Sequence, residues 1–236
     1  MRFESPLTQV RLVRRYKRFL ADMEFPDGRV HTVHCPNTGA MLGCDRPGSR
    51  AWLSQASNPV RKYPWTWELV EAEDSVLVGI HTGRSNSLVG EAIDSGLLPH
   101  FKGYTQVRAE VVAAPGFRVD FVLSGHASRP DCFLEVKNVT ATVNRGVALF
   151  PDAISERASR HLRELTVKVQ HGQRAMLCFC VQRDDVWEVR PADSIDRIYG
   201  QTLREALQRG VEVSACVARV TPEELVLYRR VPANIE

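Results

Sequence analysis

Three charged side chains in the second half of the chain have the types and spacing of a cation-dependent hydrolytic site. Asp120 lies in the alternating segment 117–123, whereas Glu135 and Lys137 lie two residues apart in the segment 132–139. Residues two apart in an extended strand point to the same face. If the two segments are neighbouring strands, Asp120 meets Glu135 and Lys137 across one edge. Carboxylate oxygens suit Mg²⁺ or Mn²⁺, so Asp120, Glu135 and Lys137 are predicted to be catalytic, with both carboxylates on the metal.

A structural role for these residues is the alternative. Glu135 and Lys137 could form an ion pair on a solvated strand, and Asp120 could pair with Arg118 or Lys137. Short motifs of this kind also occur by chance. Residues 86–181 are predicted to form a helix, three strands, a helix and a strand, in that order. This order favours the catalytic hypothesis, and so does the position of both acids within strongly apolar strands.

Apolar periodicity predicts the elements that would position the site. In the segment 117–123, Phe117, Val119, Phe121 and Leu123 are expected on one face and Asp120 on the other. The predicted elements are a helix at 86–95, strands at 105–113, 117–123 and 132–139, a helix carrying the apolar stripe 154–169, a strand at 175–181, a helix near 194–208, and strands near 211–219 and 224–231.

The first third of the chain has a different rhythm. Alternating stretches at 8–13, 18–23, 29–34 and 65–70 are separated by turn sequences rich in proline and glycine, such as Pro-Asp-Gly at 26–28. This spacing favours a small all-β barrel. The predicted fold is therefore α/β overall in two domains. Residues 1–80 form the barrel, and residues 81–236 form a domain with a central mixed sheet flanked by helices.

Positive charge is concentrated in the N-terminal domain. Residues 1–70 contain 11 lysines and arginines against 6 acidic residues, whereas the remainder contains 20 against 22. The segments 14–18 and 61–67 interleave cations with aromatic residues, which suits phosphate contacts and base stacking. A solvated basic strand is the alternative, and Trp67 is expected in the barrel core. The predicted DNA-binding residues are Arg14, Arg15, Lys17, Arg18, Arg61 and Lys62.

Composition limits the class of protein to which the chain can belong. The chain has 236 residues, of which 44% are hydrophobic and 25% charged, as in an ordinary globular protein. Its six cysteines form no Cys-x-x-Cys pair, so a zinc ribbon is not supported. No apolar run approaches the length of a membrane span, and a cytoplasmic location without a membrane partner is expected.

One flank of the long helix carries Arg157, His161 and Lys168. This flank is interpreted as a solvated face, the alternative being that it lines a DNA groove.

These motifs carry a resemblance to known families. The segment 118–121 (Arg-Val-Asp-Phe) followed by 134–138 (Leu-Glu-Val-Lys-Asn) resembles the PD-(D/E)xK nuclease superfamily, although Val119 replaces the motif's proline. Nearly the whole chain resembles the sugar fermentation stimulation protein A (SfsA) family, notably at 35–39 (Cys-Pro-Asn-Thr-Gly), 86–96 and 150–153. The resemblance implies an N-terminal OB-type barrel, a C-terminal nuclease-like domain, nonspecific DNA binding and a regulatory link to sugar metabolism. Because related nucleases often add an acid from the first helix, Glu91 is the candidate third metal ligand, a solvated carboxylate being the alternative.

Two functions follow as expectations. The leading hypothesis is a DNA-binding protein without sequence specificity that hydrolyses phosphodiester bonds with Mg²⁺ or Mn²⁺, as an endonuclease or an exonuclease. The rival is a noncatalytic DNA-binding regulator of sugar metabolism genes that retains the nuclease scaffold. An OB-type module for RNA or oligosaccharide would leave the Asp120 cluster unexplained. The oligomeric state is not predicted.

Overall fold

A closed five-stranded barrel is followed by a mixed six-stranded sheet with helices on both faces. The computed structural model describes residues 1–58, 60–144 and 146–236. The helices are α1 (Arg84–Asp94), α2 (Glu156–Gln170) and α3 (Arg197–Gln208). The strands are β1 (Thr8–Tyr16), β2 (Leu20–Glu24), β3 (Val30–His34), β4 (Arg50–Gln55), β5 (Trp65–Glu71), β6 (Leu77–Gly79), β7 (Gln106–Ala114), β8 (Phe117–Ser124), β9 (Cys132–Val139), β10 (Thr142–Asn144), β11 (Gly146–Phe150), β12 (Arg174–Val181), β13 (Val186–Pro191), β14 (Glu212–Val220) and β15 (Leu225–Val231).

The barrel consists of β1 to β5. Its sheet has the order β3-β2-β1-β4-β5-β6, and a parallel contact between His34 of β3 and Thr66 of β5 closes it. Trp67 is fully buried among the apolar side chains of the barrel, as predicted, and its indole nitrogen donates to the carbonyl of Leu69 at 2.8 Å. The expected small all-β barrel is confirmed.

The second sheet has the order β15-β14-β12-β9-β8-β7. Strand β9 runs parallel to β12, and β12 runs parallel to β14, whereas the remaining pairs are antiparallel. Alternate residues of β12 pack on opposite faces, Met176 and Cys178 with α1, and Leu177 and Phe179 with α2 and α3. A central strand that is covered on both faces of the sheet is expected to be apolar along its whole length, as β12 is. A smaller sheet, β10-β11-β13, lies beside it.

Helix α2 lies where the apolar stripe 154–169 predicts it. Ser155 is its N-cap residue, and the hydroxyl accepts from the backbone N–H of Ala158 at 3.1 Å, which satisfies a free donor of the first turn. The carboxylate of Asp152, just before the helix, accepts from the N–H of Met41 in the barrel domain at 3.0 Å. The sequence 150–153 therefore joins the two domains. Among the described residues, no helix is long and apolar enough to cross a membrane.

The predicted face assignment in β8 is wrong in one respect. Phe117 and Val119 pack with α2 and α3, but Phe121 and Leu123 pack in the cluster that contains α1. The strand therefore changes its face at Asp120. The change coincides with an irregularity in the neighbouring strand: Glu110 of β7, which lies between the partners of Phe121 and Val119, has a left-handed backbone.

Candidate active site

Asp120 lies where two strands of the central sheet separate. The paired register of β8 and β9 includes Phe121 opposite Leu134, and the backbone N–H of Val136 then donates to Asp120 Oδ2 at 2.7 Å. A side-chain carboxylate thus takes the place of a backbone acceptor. Asn86 of α1 donates to the other oxygen, Oδ1, at 2.8 Å. Both contacts fix the carboxylate at the opening between the strands.

Glu135 lies deeper in the same opening and is only 4% exposed. Its Oε1 accepts from Lys137 Nζ at 2.6 Å and from His161 Nδ1 at 2.5 Å. Among the described residues, the other oxygen, Oε2, is buried and has no hydrogen-bond partner. Buried carboxylate oxygens are normally hydrogen-bonded or bound to a metal. The structure therefore brings Asp120, Glu135 and Lys137 together, as the sequence predicts, and leaves one oxygen available to a ligand.

The two carboxylates have opposite pKa shifts. Burial and the negative charge of Glu135 raise the pKa of Asp120, although the hydrogen bonds from Val136 and Asn86 oppose the shift. Burial also acts to raise the pKa of Glu135, but the hydrogen bonds from His161 and Lys137 and the positive charge of Lys137 outweigh it and lower that pKa. The contacts of Glu135 thus favour its ionised form, whereas burial and the charge of Glu135 disfavour the ionised form of Asp120.

The raised pKa of Asp120 predicts a pH dependence. Its stabilising contribution is fully present below the ordinary carboxyl pKa of about 4 and is lost as pH rises through the raised folded value. We expect the difference in unfolding free energy between the wild type and Asp120→Asn to fall over this window in the absence of metal. Urea denaturation of both proteins at a series of pH values measures it. A difference that is constant or rises with pH would contradict the shift.

His161 is a site residue that the sequence did not identify. The sequence pattern predicts it on a solvated flank of the long helix, but it is only 4% exposed and contacts Glu135 because α2 packs over β9. Arg157 Nε approaches His161 Nε2 at 3.4 Å. Since arginine can only donate, Nε2 is the acceptor and the proton resides on Nδ1, directed at Glu135. Lys168 on the same flank donates to the carbonyl of Ala113 at 2.6 Å, so His161 and Lys168 reach the sheet, whereas Arg157 is exposed as expected.

Glu91 does not lie at the site, which corrects its assignment as a metal ligand. Its side chain is 52% exposed and accepts from the N-terminal ammonium of Met1 at 2.7 Å. Five residues along an α-helix correspond to a rotation of about 140°. Glu91 therefore points away from the side of α1 where Asn86 reaches Asp120. Within the described residues, no group of three or more His, Cys, Asp or Glu side chains forms a preassembled metal centre.

The predicted DNA-binding residues divide into two groups. Arg15 is not available to a ligand, because its side chain is 9% exposed and donates to the backbone carbonyls of Arg18, Asn37, Gly39 and Ala40. The others reach the surface to different extents. Arg14 pairs with Asp22 but remains 69% exposed, Lys17 and Arg18 are exposed in the turn between β1 and β2, Arg61 donates to Thr66, and Lys62 is exposed beside Tyr63.

Arg15 should therefore be a stability residue. Its replacement by alanine leaves several carbonyls of the loop 37–40 without their donor, and each such loss costs about 1–3 kcal/mol. We expect Arg15→Ala to lower the unfolding free energy by at least about 2 kcal/mol, and Lys17→Ala to change it by less than about 0.5 kcal/mol. Thermal or urea denaturation compares the two. Equal stabilities would show that the loop does not depend on Arg15.

Comparisons with known proteins agree with this architecture. The family model described as the sugar fermentation stimulation protein RE domain matches residues 83–224, and the SfsA N-terminal OB domain model matches residues 13–80. The sugar fermentation stimulation protein homologs of Thioalkalivibrio sulfidiphilus and Alkalilimnicola ehrlichii are 58% and 54% identical to this chain. These alignments cover 97% and 99% of this chain, and 96% and 99% of the relatives.

A solved structure has the same fold. The structure of Pyrococcus furiosus SfsA in complex with Ca²⁺ matches with a TM-score of 0.88, covering 99% of this chain and 98% of that one. The sequence identity is 24%. The likeness therefore extends over both domains and their arrangement.

Proposed function

The chain belongs to the sugar fermentation stimulation protein (SfsA) family, and we propose that it is a DNA-binding protein whose C-terminal domain hydrolyses phosphodiester bonds with Mg²⁺ or Mn²⁺. The observation that carries the proposal is the buried carboxylate of Glu135 beside Asp120, with its Oε2 unpartnered among the described residues. A buried ion pair stabilises a protein only when further hydrogen bonds satisfy its remaining atoms, and Oε2 has none among the described residues.

The residues present suit a hard divalent cation. Asp120 and Glu135 would hold it through oxygen atoms, and Mg²⁺ commonly uses one or two carboxylates while keeping several waters. Their mutual repulsion, evident in the raised pKa of Asp120, would be relieved by a positive ion. A family relative was solved with Ca²⁺, which prefers the same type of ligand. A bound Mg²⁺ or Mn²⁺ would polarise the scissile phosphate and lower the pKa of an attacking water.

The protein's own side chains supply the positioning. Lys137 uses one of its three N–H donors on Glu135, and the others can hold a phosphate oxygen or the attacking water. Its positive charge offsets the charge that builds up on the phosphate oxygens. His161 donates to Glu135 Oε1 and fixes the orientation of that carboxylate. Asn86 donates to Asp120 and orients it before a cation is bound.

The DNA surface would extend from the turn between β1 and β2. Lys17 and Arg18 are exposed there, Arg14 lies nearby, and the ring of Phe19 is 46% exposed for base stacking. A cleft of about 200 Å³ between the domains is lined by 37–39 of the barrel and by 138–141 beyond Lys137. The two domains thus present a cationic turn and a carboxylate site within one molecule.

The binding part of the proposal predicts a salt effect. Each neutralised phosphate contributes a slope of about −0.7 to −0.9 in log K against log salt. Removing two contacts with Lys17→Ala/Arg18→Ala should weaken DNA binding and make the slope less steep by about 1.4–1.8. Fluorescence anisotropy with labelled oligonucleotides at several salt concentrations measures both. An unchanged slope would place the DNA surface elsewhere.

The catalytic part is tested by cleavage. Purified protein with single-stranded or double-stranded DNA should produce shorter fragments in Mg²⁺ or Mn²⁺, and none in excess EDTA. Glu135→Gln, carried through the same purification, controls for a contaminating nuclease. Absence of cleavage on both substrates, together with normal salt-dependent binding, would favour the noncatalytic regulator instead.

A further inference from the structure

Glu110 has an unusual backbone conformation for a residue in the middle of a strand. It lies in β7 with φ at +55°, in the left-handed region that a side chain disfavours. The strand pairs continue on both sides of it, since Ala109 lies opposite Phe121 and Val111 lies opposite Val119. Glu110 therefore lies directly across from Asp120. Residues held in such conformations concentrate at functional sites.

One amide group joins Glu110 to the candidate active site. Asn86 Nδ2 donates to Glu110 Oε1 at 3.0 Å and to Asp120 Oδ1 at 2.8 Å. Because both oxygens contact the same nitrogen, the two carboxylates converge on one point. An amide NH₂ carries only a partial positive charge, whereas a cation at that point would meet two negative oxygens.

We propose that Glu110 is the third carboxylate of the cation site, in which it lies on the solvent side of Asp120 and Glu135. The inference rests on the proposed function and adds a residue to it. The exposed fraction of the side chain is 54% for Glu110 and 5% for Glu135. Glu110 thus meets an incoming ion first. The unpartnered Oε2 of Glu135, inside a side chain that is more than nine-tenths buried, is an independent indication of a ligand among these residues.

Asn86 would act as the moving part of this site. Without a cation its NH₂ group bridges Asp120 and Glu110. A half-turn of the amide presents Oδ1 in place of the nitrogen, and amide oxygens are ordinary ligands of hard cations. This arrangement explains why the carboxylates do not form a preassembled centre in the described residues, since the amide nitrogen lies between two of them.

A purely structural role for Glu110 is less consistent with its contacts. Its charged partner, Arg118, is 3.8 Å away, and both side chains are more than half exposed. An exposed pair of this kind contributes little to stability. The pair also does not require a left-handed backbone, because cross-strand ion pairs form between residues of ordinary strand geometry.

The test is a calorimetric titration with Mn²⁺ alone, so that it does not depend on cleavage. Glu110→Gln keeps the size of the side chain and removes its charge, and Glu4→Gln removes one exposed charge elsewhere as a matched control. We expect Glu110→Gln to weaken Mn²⁺ binding at least tenfold and Glu4→Gln to change it less than twofold. Equal affinities of the two variants would overturn the assignment of Glu110 while leaving the Asp120 and Glu135 site intact. No Mn²⁺ binding by the wild type would overturn both proposals.

The variant Glu110→Gly distinguishes the loss of a metal ligand from an effect on the stability of the fold. Glycine adopts a positive φ without strain, so this variant should melt no lower than Glu110→Gln in the absence of metal, yet lose Mn²⁺ binding to the same extent. If Glu110→Gly binds Mn²⁺ like the wild type, the carboxylate is not a ligand and the proposal is wrong.

Discussion

Asp120→Asn should reduce cation-dependent DNA cleavage by at least about 10²- to 10³-fold, the effect of removing one preorganised electrostatic group from an active site. Asparagine retains an oxygen that can accept from Val136, so the strands should keep their geometry. The variant should also lose the stabilisation by Mg²⁺, which reaches about 2.7 kcal/mol at a hundredfold excess over the dissociation constant. Rates of cleavage and melting temperatures with and without Mg²⁺ measure the two effects.

Lys137→Ala is the matched variant that separates chemistry from ion binding. It removes the donor at 2.6 Å from Glu135 but leaves the proposed carboxylate ligands in place. Cleavage should fall by a similar factor, while stabilisation by Mg²⁺ remains. If Asp120→Asn cleaves DNA at the wild-type rate, the assignment of the site is wrong. If Lys137→Ala does so, only the role of the lysine is wrong.

The second large effect is a loss of stability when the ion pair that connects the two domains is broken. Arg84 at the start of α1 donates through Nε and Nη2 to the two carboxylate oxygens of Glu68 in the barrel, both at 2.6 Å. Glu68 is 1% exposed and also accepts from Ser54. Removing one partner of a buried ion pair leaves an uncompensated charge and costs about 3–5 kcal/mol. We expect Arg84→Ala to lower the unfolding free energy by that amount.

Two further variants control this prediction. Arg2→Ala removes an arginine that is 88% exposed and 3.7 Å from Glu224, and should cost less than about 1 kcal/mol. Glu68→Gln in the Arg84→Ala background removes the stranded charge and should restore part of the loss. Urea denaturation of the four proteins is sufficient. An Arg84→Ala variant as stable as Arg2→Ala would mean that the buried pair does not stabilise the domain interface.

Periodicity predicted the elements that carry the site. The strand at 132–139 and the order of elements over 86–181 follow from apolar patterns that repeat over many residues. The strands β4, β6, β10, β11 and β13 were not predicted, and β10 and β11 stand between β9 and α2 where the predicted order has no strand. They are short, and a segment such as Ala51-Trp52-Leu53 gives a single apolar run that shows no period. Their positions depend on pairing with distant strands.

The chemistry of the site was predictable only in part. Glu135 and Lys137 share a face because of strand geometry, which is local. His161 could not be separated from a solvated helix position, because its burial depends on how α2 packs over β9. Arg15 has the charge of a DNA-binding residue, but the carbonyls it binds belong to the loop 37–40, which is distant in sequence. Charge and local pattern therefore identify candidates, and tertiary contacts decide among them.

Anomalous diffraction from a crystal soaked in Mn²⁺ would test the cation site most directly. We predict a peak between Asp120 and Glu135, about 2.0–2.2 Å from Glu135 Oε2 and from an oxygen of Asp120, as expected for a small hard cation. The peak should be absent from a Glu135→Gln crystal soaked in the same way. A wild-type crystal that shows no peak at these carboxylates, or shows one only at surface acids elsewhere, would contradict the claim that they form a divalent-cation site.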